Sequence, residues 1–557
     1  MRKKGILLFM FSLSAGIISA QQINLESVSK IGEDKPFAIS GGLSAGNIFY
    51  NGNQQSGRQD WTYYLNGTLN LSLYGQINIP ISVNLTNLGA DLSYPSLPNR
   101  LSIHPTYKWI TGHIGDVAMN FSSYTLSGHQ FTGAGVDLTP GNKLKISAMG
   151  GRLLKKIDFD SNNPTLMPTY NRVGTGAKVQ YDDAKYSVGM IYFGAKDQTK
   201  DILFQPLDSL GITPMQNNVF SWHATLNMIQ NLSFNAEYAI SLLTRDSRAP
   251  EASSHAYHAM NAKLNYQLQK NTIGIGYERI DPEYKTLGAY YFNNDYENIT
   301  LNFARPFLKG DKANVAASFG VQRDNLDNNK EESSNRYVSS INLNYNPTED
   351  LQTSLNFSTF QSYRNLKSQF DYINELSPYD NMDTLRFTQL SQNLDGAITY
   401  TFKKTEKQNQ RLNLNVSYQE SADRQGAISL PGNVSRFLNS TLGYGIQFIP
   451  QNIHITSSLN VSYNYGGAIE SYTLGPMLGA TASFFKKTLT TGLSGAYNMN
   501  LDSGDIRARI LSCRANASYR IKKKHHFNAH VVWQNRDIKE KRKTDAITTT
   551  VSYSYSF

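Results

Sequence analysis

The sequence predicts an all-β protein, a single large antiparallel transmembrane β-barrel of about 22 to 26 strands preceded by a signal peptide. Three observations carry this. Segments of roughly ten to fourteen residues alternate apolar and polar side chains, the period of a strand with two different faces. The polar face is Asn, Ser, Thr, Gln and Gly with few charges, which suits a water-filled interior better than the Lys- and Glu-rich exterior of a soluble sandwich. Connections between the segments alternate short and long along the chain, as they do when strands run up and down a membrane.

The chain starts with Arg2, Lys3 and Lys4, continues in an apolar run from Ile6 to Ile18, and reaches Ser19-Ala20 before Gln21. That is the order of parts in a secretory signal, so residues 1–20 are expected to be cleaved and 21–36 to form a short periplasmic tail, with the barrel over 37–557. The run is too short to span about 30 Å of hydrocarbon. Cleavage leaves 50 basic against 43 acidic residues, a scattered excess that does not favour a nucleic-acid partner. With 1 Cys no intramolecular disulfide can form, and Cys513 reads as an inert buried thiol within a strand.

The hairpin pattern is clearest near the start of the barrel. Trp61, Tyr63, Leu65, Leu69, Leu71 and Leu73 share one face opposite Thr62, Asn66, Thr68, Asn70 and Ser72; after Tyr74-Gly75-Gln76 the pattern restarts with Ile77, Ile79, Ile81, Val83 and Leu85. Soluble strands usually run about five or six residues, whereas a tilted membrane strand needs about nine to eleven. Counting back from the C-terminus, the long connections fall at 536–543, 502–505, 466–471, 421–436, 364–384, 325–335, 281–293, 245–254, 196–216, 155–169, 127–129, 88–97 and 51–58. The short ones fall at 522–525, 486–487, 450–451, 404–408, 347–350, 308–311, 269–271, 230–231, 182–184, 139–142, 110–112 and 74–76. Both termini then lie on the short-turn side.

On the last strand Ile547, Thr549, Val551, Tyr553, Tyr555 and Phe557 share one face and Thr550, Ser552, Ser554 and Ser556 the other. This resembles the terminal strand of Gram-negative outer-membrane β-barrels, whose last residue, usually Phe, belongs to the signal read by the barrel-assembly machinery. The resemblance assigns Phe557, Tyr555 and Tyr553 that role and places the protein in the outer membrane among its lipids. The Asn-, Tyr- and Lys-rich strands after a signal ending SAQQ are similar in style to outer-membrane proteins of the Bacteroidota.

No Walker A, HExxH or strand-to-helix GxSxG pattern is present, and neither an enzymatic role nor a cofactor or metal is expected. The least generic stretch is 99–152, which gathers His104, His113 and His129 with Asp116, Gly133 and Gly135. His104-Pro105 marks a break, because Pro cannot donate to a ladder, and the glycines permit close backbone approach. These residues are the candidate constriction or partner-docking region, and His454 and His530 are expected to line the lumen. The leading expectation is a transport pore gated by its own loops, since a barrel this wide would leak if open and no plug domain of the TonB-dependent-receptor kind is read ahead of it. A barrel subunit held with other envelope proteins in a secretion or assembly machine is the alternative, and a rim-site enzyme ranks third.

Overall fold

The computed structural model describes residues 36–53, 59–87, 100–159, 168–199, 210–248, 254–290, 292–308, 312–329, 335–359, 392–425, 428–466, 469–502, 504–541 and 543–557. The expected signal peptide and tail up to residue 35, and the connections 88–97 and 364–384, lie outside them.

Every regular element among the described residues is a strand, and each pairs antiparallel with its neighbours in chain order. The first strand, Phe37–Gly52, closes on the last, Thr544–Ser556, with Gly42 opposite Ser556 and Gly52 opposite Ala546. Closure leaves no sheet edge, which is what lets a sheet sit in hydrocarbon. Arg100–Ile103 and Thr106–Tyr107 occupy one position between the same two neighbours, Ile77–Thr86 and Ile110–Ala118, so the ring has 26 positions, the top of the expected range. The interruption falls at His104-Pro105, where Pro105 supplies only a carbonyl, to Gly112 N–H at 2.8 Å.

Alternation settles which face meets lipid. Leu43, Phe49, Leu69 and Leu71 point outward, whereas Ser44, Ile48 and Thr62 point inward and are buried or half-buried. Exterior aromatic rings lie at both rims, Trp109, Tyr181, Tyr266, Phe402, Tyr519 and Phe527 towards the short turns and Phe49, Trp61, Tyr63, Tyr337 and Tyr472 towards the long connections, with others such as Tyr192, Trp222 and Phe319 in mid-strand. Rings at a rim sit at headgroup level with one apolar and one wet side. Short turns are made possible by left-handed backbone at Tyr74, Gly75, Asn231, Lys486 and Lys522, among others.

Several sequence expectations change. The turn expected at 110–112 lies at Lys108-Trp109, because Tyr107 already pairs with Ile110. Residues 421–436 are largely ladder rather than loop: Ser421 faces Ser435 and Gln425 faces Ile428, carrying this hairpin beyond its neighbours. The connection expected at 127–129 runs over 119–129, since Ile110–Ala118 stops at Ala118. Cys513 lies on the outward face and is exposed, so it is not a buried thiol.

The terminal residue is part of the closing seam. Gly41 and Phe557 exchange two backbone hydrogen bonds of 3.1 and 3.0 Å, and the Phe557 ring stacks on Tyr555 at 5.6 Å. Tyr553 stacks on Phe527 at 4.6 Å and its hydroxyl meets His525 Nδ1 at 2.7 Å. Deleting Phe557 removes both seam bonds, worth about 1 kcal/mol each, together with the stack. The folded, heat-modifiable band on gels should therefore weaken; an unchanged band after deleting Phe557 and replacing Tyr555 by Ala would show that the seam does not need them.

Candidate functional site

Residues 119–129 read MNFSSYTLSGH, without a charged side chain. A connection of that composition on the long-connection rim gains more by burying its apolar groups than by standing in water. It folds into the barrel mouth: Met119, Phe121, Tyr124, Thr125, Leu126 and His129 are all buried. The wall beneath is made small to receive it. A Cβ on Gly176 would stand 2.8 Å from Phe121 Cε2, one on Gly135 would strike the Met119 sulfur, and one on Gly133 would meet the backbone of Gly150 and Gly151. Gly135 therefore makes room for a side chain and Gly133 for a close backbone approach.

A second connection, residues 281–295, folds over the first. Tyr284 OH donates to Tyr124 O at 2.8 Å, Thr286 Oγ1 donates to Thr125 O at 2.6 Å, and Ser127 N–H donates to Gly288 O at 2.9 Å. Together with the inward faces of the wall they enclose two apolar clusters, one around Phe121, Leu126, Phe131, Phe193 and Leu287, the other around Tyr124, Val219, Ile280 and Tyr284.

Buried polar groups of the wall anchor the assembly. Tyr124 OH donates to Glu278 Oε1 at 2.8 Å and accepts from Asn261 Nδ2 at 3.0 Å; Lys178 Nζ donates to Phe121 O at 3.1 Å. Arg172 and Asp197 face each other across adjacent strands in a two-pronged ion pair of 2.7 and 3.0 Å, and Asp197 Oδ2 also accepts from Met215 N–H at 3.0 Å. Burial pushes the Tyr124 and Tyr284 phenols well above their ordinary range, with Glu278 adding to the shift at Tyr124, so both stay protonated donors. His129 stacks on Tyr290 with ring centroids 4.1 Å apart, and its Nδ1–H donates to Gln130 O at 2.7 Å. Burial, with a smaller contribution from Arg172, pushes its pKa down to about 4 despite that bond.

The other expected residues divide. His104 and His113 lie in the wall, their Nδ1 atoms 2.8 Å apart, with His113 Nε2 2.7 Å from Asp137 Oδ2 and His104 Nε2 3.1 Å from Ser102 Oγ. Because a carboxylate only accepts, one proton arrangement serves the chain: His113 donates to Asp137, His104 donates to His113, and Ser102 donates to His104. This chain braces the wall across the break at Pro105. Ser102 is buried and sits in the ladder between Ser82 and Gly115. Asp116, three residues beyond His113 on the same strand, falls on the opposite, outward face, where it accepts from Leu101 N–H at 3.1 Å and Thr132 Oγ1 at 2.6 Å. It is therefore no part of a lumenal constriction. His454 and His530 lie on the inward face on the far side of the ring.

A ring of 26 tilted strands spaced about 4.8 Å apart is roughly 50 Å across. Eleven residues going out and back reach at most about 20 Å from the wall. Residues 119–129 therefore narrow the mouth on one side and leave most of its section clear of them.

No family model and no curated protein matches this chain. Among solved structures it is similar to the translocation pore of the P pilus usher, at 10% identity over 93% of this chain and 99% of that one, with a TM-score of 0.43. It is likewise similar to a copper transporter, at 11% identity over 95% and 81% with a TM-score of 0.37. The FrpB iron transporter from Neisseria meningitidis matches at 10% over 94% and 83%, with a TM-score of 0.38. At such identities and TM-scores the likeness carries no role over to this chain.

Proposed function

We propose that the protein is an outer-membrane pore whose mouth is narrowed by its own connections. The supporting observation is the inward packing of residues 119–129 and 281–295 against one side of a closed barrel. A connection with no role in the lumen would be cheaper to leave polar and solvated, as loops usually are. The opposite wall carries Asn460, Ser462, Asn498, Gln534 and Ser552 on its inward face, polar side chains packed among their neighbours in place of an apolar cluster.

The test is conductance in planar bilayers. The purified protein should open discrete channels, and replacing residues 120–128 by a short Gly-Ser linker should enlarge the unit conductance, by about a factor of two or less given the reach of about 20 Å. Protein that stays silent in both forms while holding a stoichiometric envelope partner would instead favour a subunit of a larger machine.

A further inference from the structure

Away from the narrowed side, the inward wall carries a cavity of about 210 Å³ lined by Ser354, Asn356, Asp395, Asn415, Ser417 and Asn439. These come from four neighbouring strands, Leu351–Ser358, Gln392–Lys404, Gln408–Gln425 and Ile428–Phe448, and fall side by side in register. Asn356 faces Asp395, Asp395 faces Ser417, and Ser417 faces Asn439. In the next row Ser354 and Asn415 flank Ala397, whose lone methyl group leaves the hollow.

Asp395 is the charged member of the lining. It accepts from Ser417 Oγ at 2.8 Å on one oxygen and from Asn393 Nδ2 at 2.7 Å on the other, and no described Lys, Arg or His pairs with it. A carboxylate offers about four acceptor positions, so each oxygen keeps one for a ligand. Two acceptor oxygens side by side match two neighbouring hydroxyls. The surrounding amides both donate and accept, and so does a hydroxyl. An ammonium only donates and would leave the amide N–H groups unmatched, an anion is repelled by Asp395, and an apolar solute strands every polar group of the lining. The volume equals about seven waters, enough for one six-membered ring with its substituents.

We infer that Asp395 and its flanking amides form a lumenal subsite for a neutral polyhydroxylated solute, one sugar ring at a time. Its place on a transport path rests on the pore reading above; its binding chemistry does not.

Saturation-transfer NMR on detergent-purified protein with maltotriose tests binding without requiring conductance. Transfer to the sugar is expected, weakened tenfold or more in affinity by Asp395→Asn, which removes the charge-assisted bonds, and equally by Ala397→Phe, which fills the hollow. Heat-modifiable mobility shows that both variants fold. Absence of transfer to the native protein, or transfer unchanged in both variants, overturns the subsite. Binding of spermidine in place of maltotriose, lost in Asp395→Asn, overturns the sugar reading in favour of a cation. Silent bilayers would count against the pore alone.

Discussion

The Tyr124→Ala variant is expected to release residues 119–129 from the lumen while the barrel itself stays closed. Tyr124 is 1% exposed, and truncating a buried aromatic side chain to Ala costs about 3–5 kcal/mol. The Glu278 carboxylate would also lose the hydroxyl that bonds it, and Tyr284 and Phe292 the ring they meet edge-on at 6.3 and 6.4 Å. Such a sum shifts docking about a hundredfold or more, since each 1.4 kcal/mol is tenfold. External protease should then cut within residues 119–129, where the native protein resists, and unit conductance should approach that of the linker variant. Tyr124→Phe keeps the ring and loses only the hydroxyl, so it should fall between the two. Equal protease resistance in the native and Ala forms would mean that the apolar packing of Phe121 and Leu126 holds the segment without Tyr124.

The barrel was legible in the sequence because its two faces meet two solvents. Lipid outside and water inside force a period of two over long strands, and the last strand shows it from Ile547 to Phe557 with Thr549 the one interruption of its apolar face. Register was also accessible wherever a turn was tight, as at Tyr74-Gly75-Gln76. It failed where pairing continues past the membrane, since nothing in the composition of 421–436 distinguishes an aqueous hairpin from a loop. The lumenal site was partly legible. Clustered His, Gly and Asp residues drew notice to 99–152, but the strongest sign inside it was different: a connection on the long-connection rim with Phe121, Tyr124 and Leu126 and no charge. Its partners Tyr284, Thr286 and Leu287 lie some 160 residues later, and a one-dimensional pattern carries no record of two loops folding onto each other. Asp116 shows the opposite error, because proximity in sequence to His113 hid the odd spacing that puts them on different faces.

Acidification should loosen the same assembly through His129. Docked, this side chain is buried against Tyr290 and near Arg172, and its pKa is pushed from an ordinary 6.5 down to about 4. Undocked in water it would titrate near its ordinary value. Above pH 6.5 both states hold a neutral imidazole and docking carries no protonic penalty. Between about pH 6.5 and 4 the released segment takes up a proton that the docked one refuses, so docking weakens steadily as pH falls and has lost about 3 kcal/mol once pH drops below the lower value. Unit conductance and protease sensitivity of residues 119–129 should therefore rise together on going from pH 7 to pH 4. In His129→Gln, which keeps a polar group of similar reach but cannot titrate, the profile should flatten across that window. Retention of the full pH response in that variant would place the titrating group elsewhere.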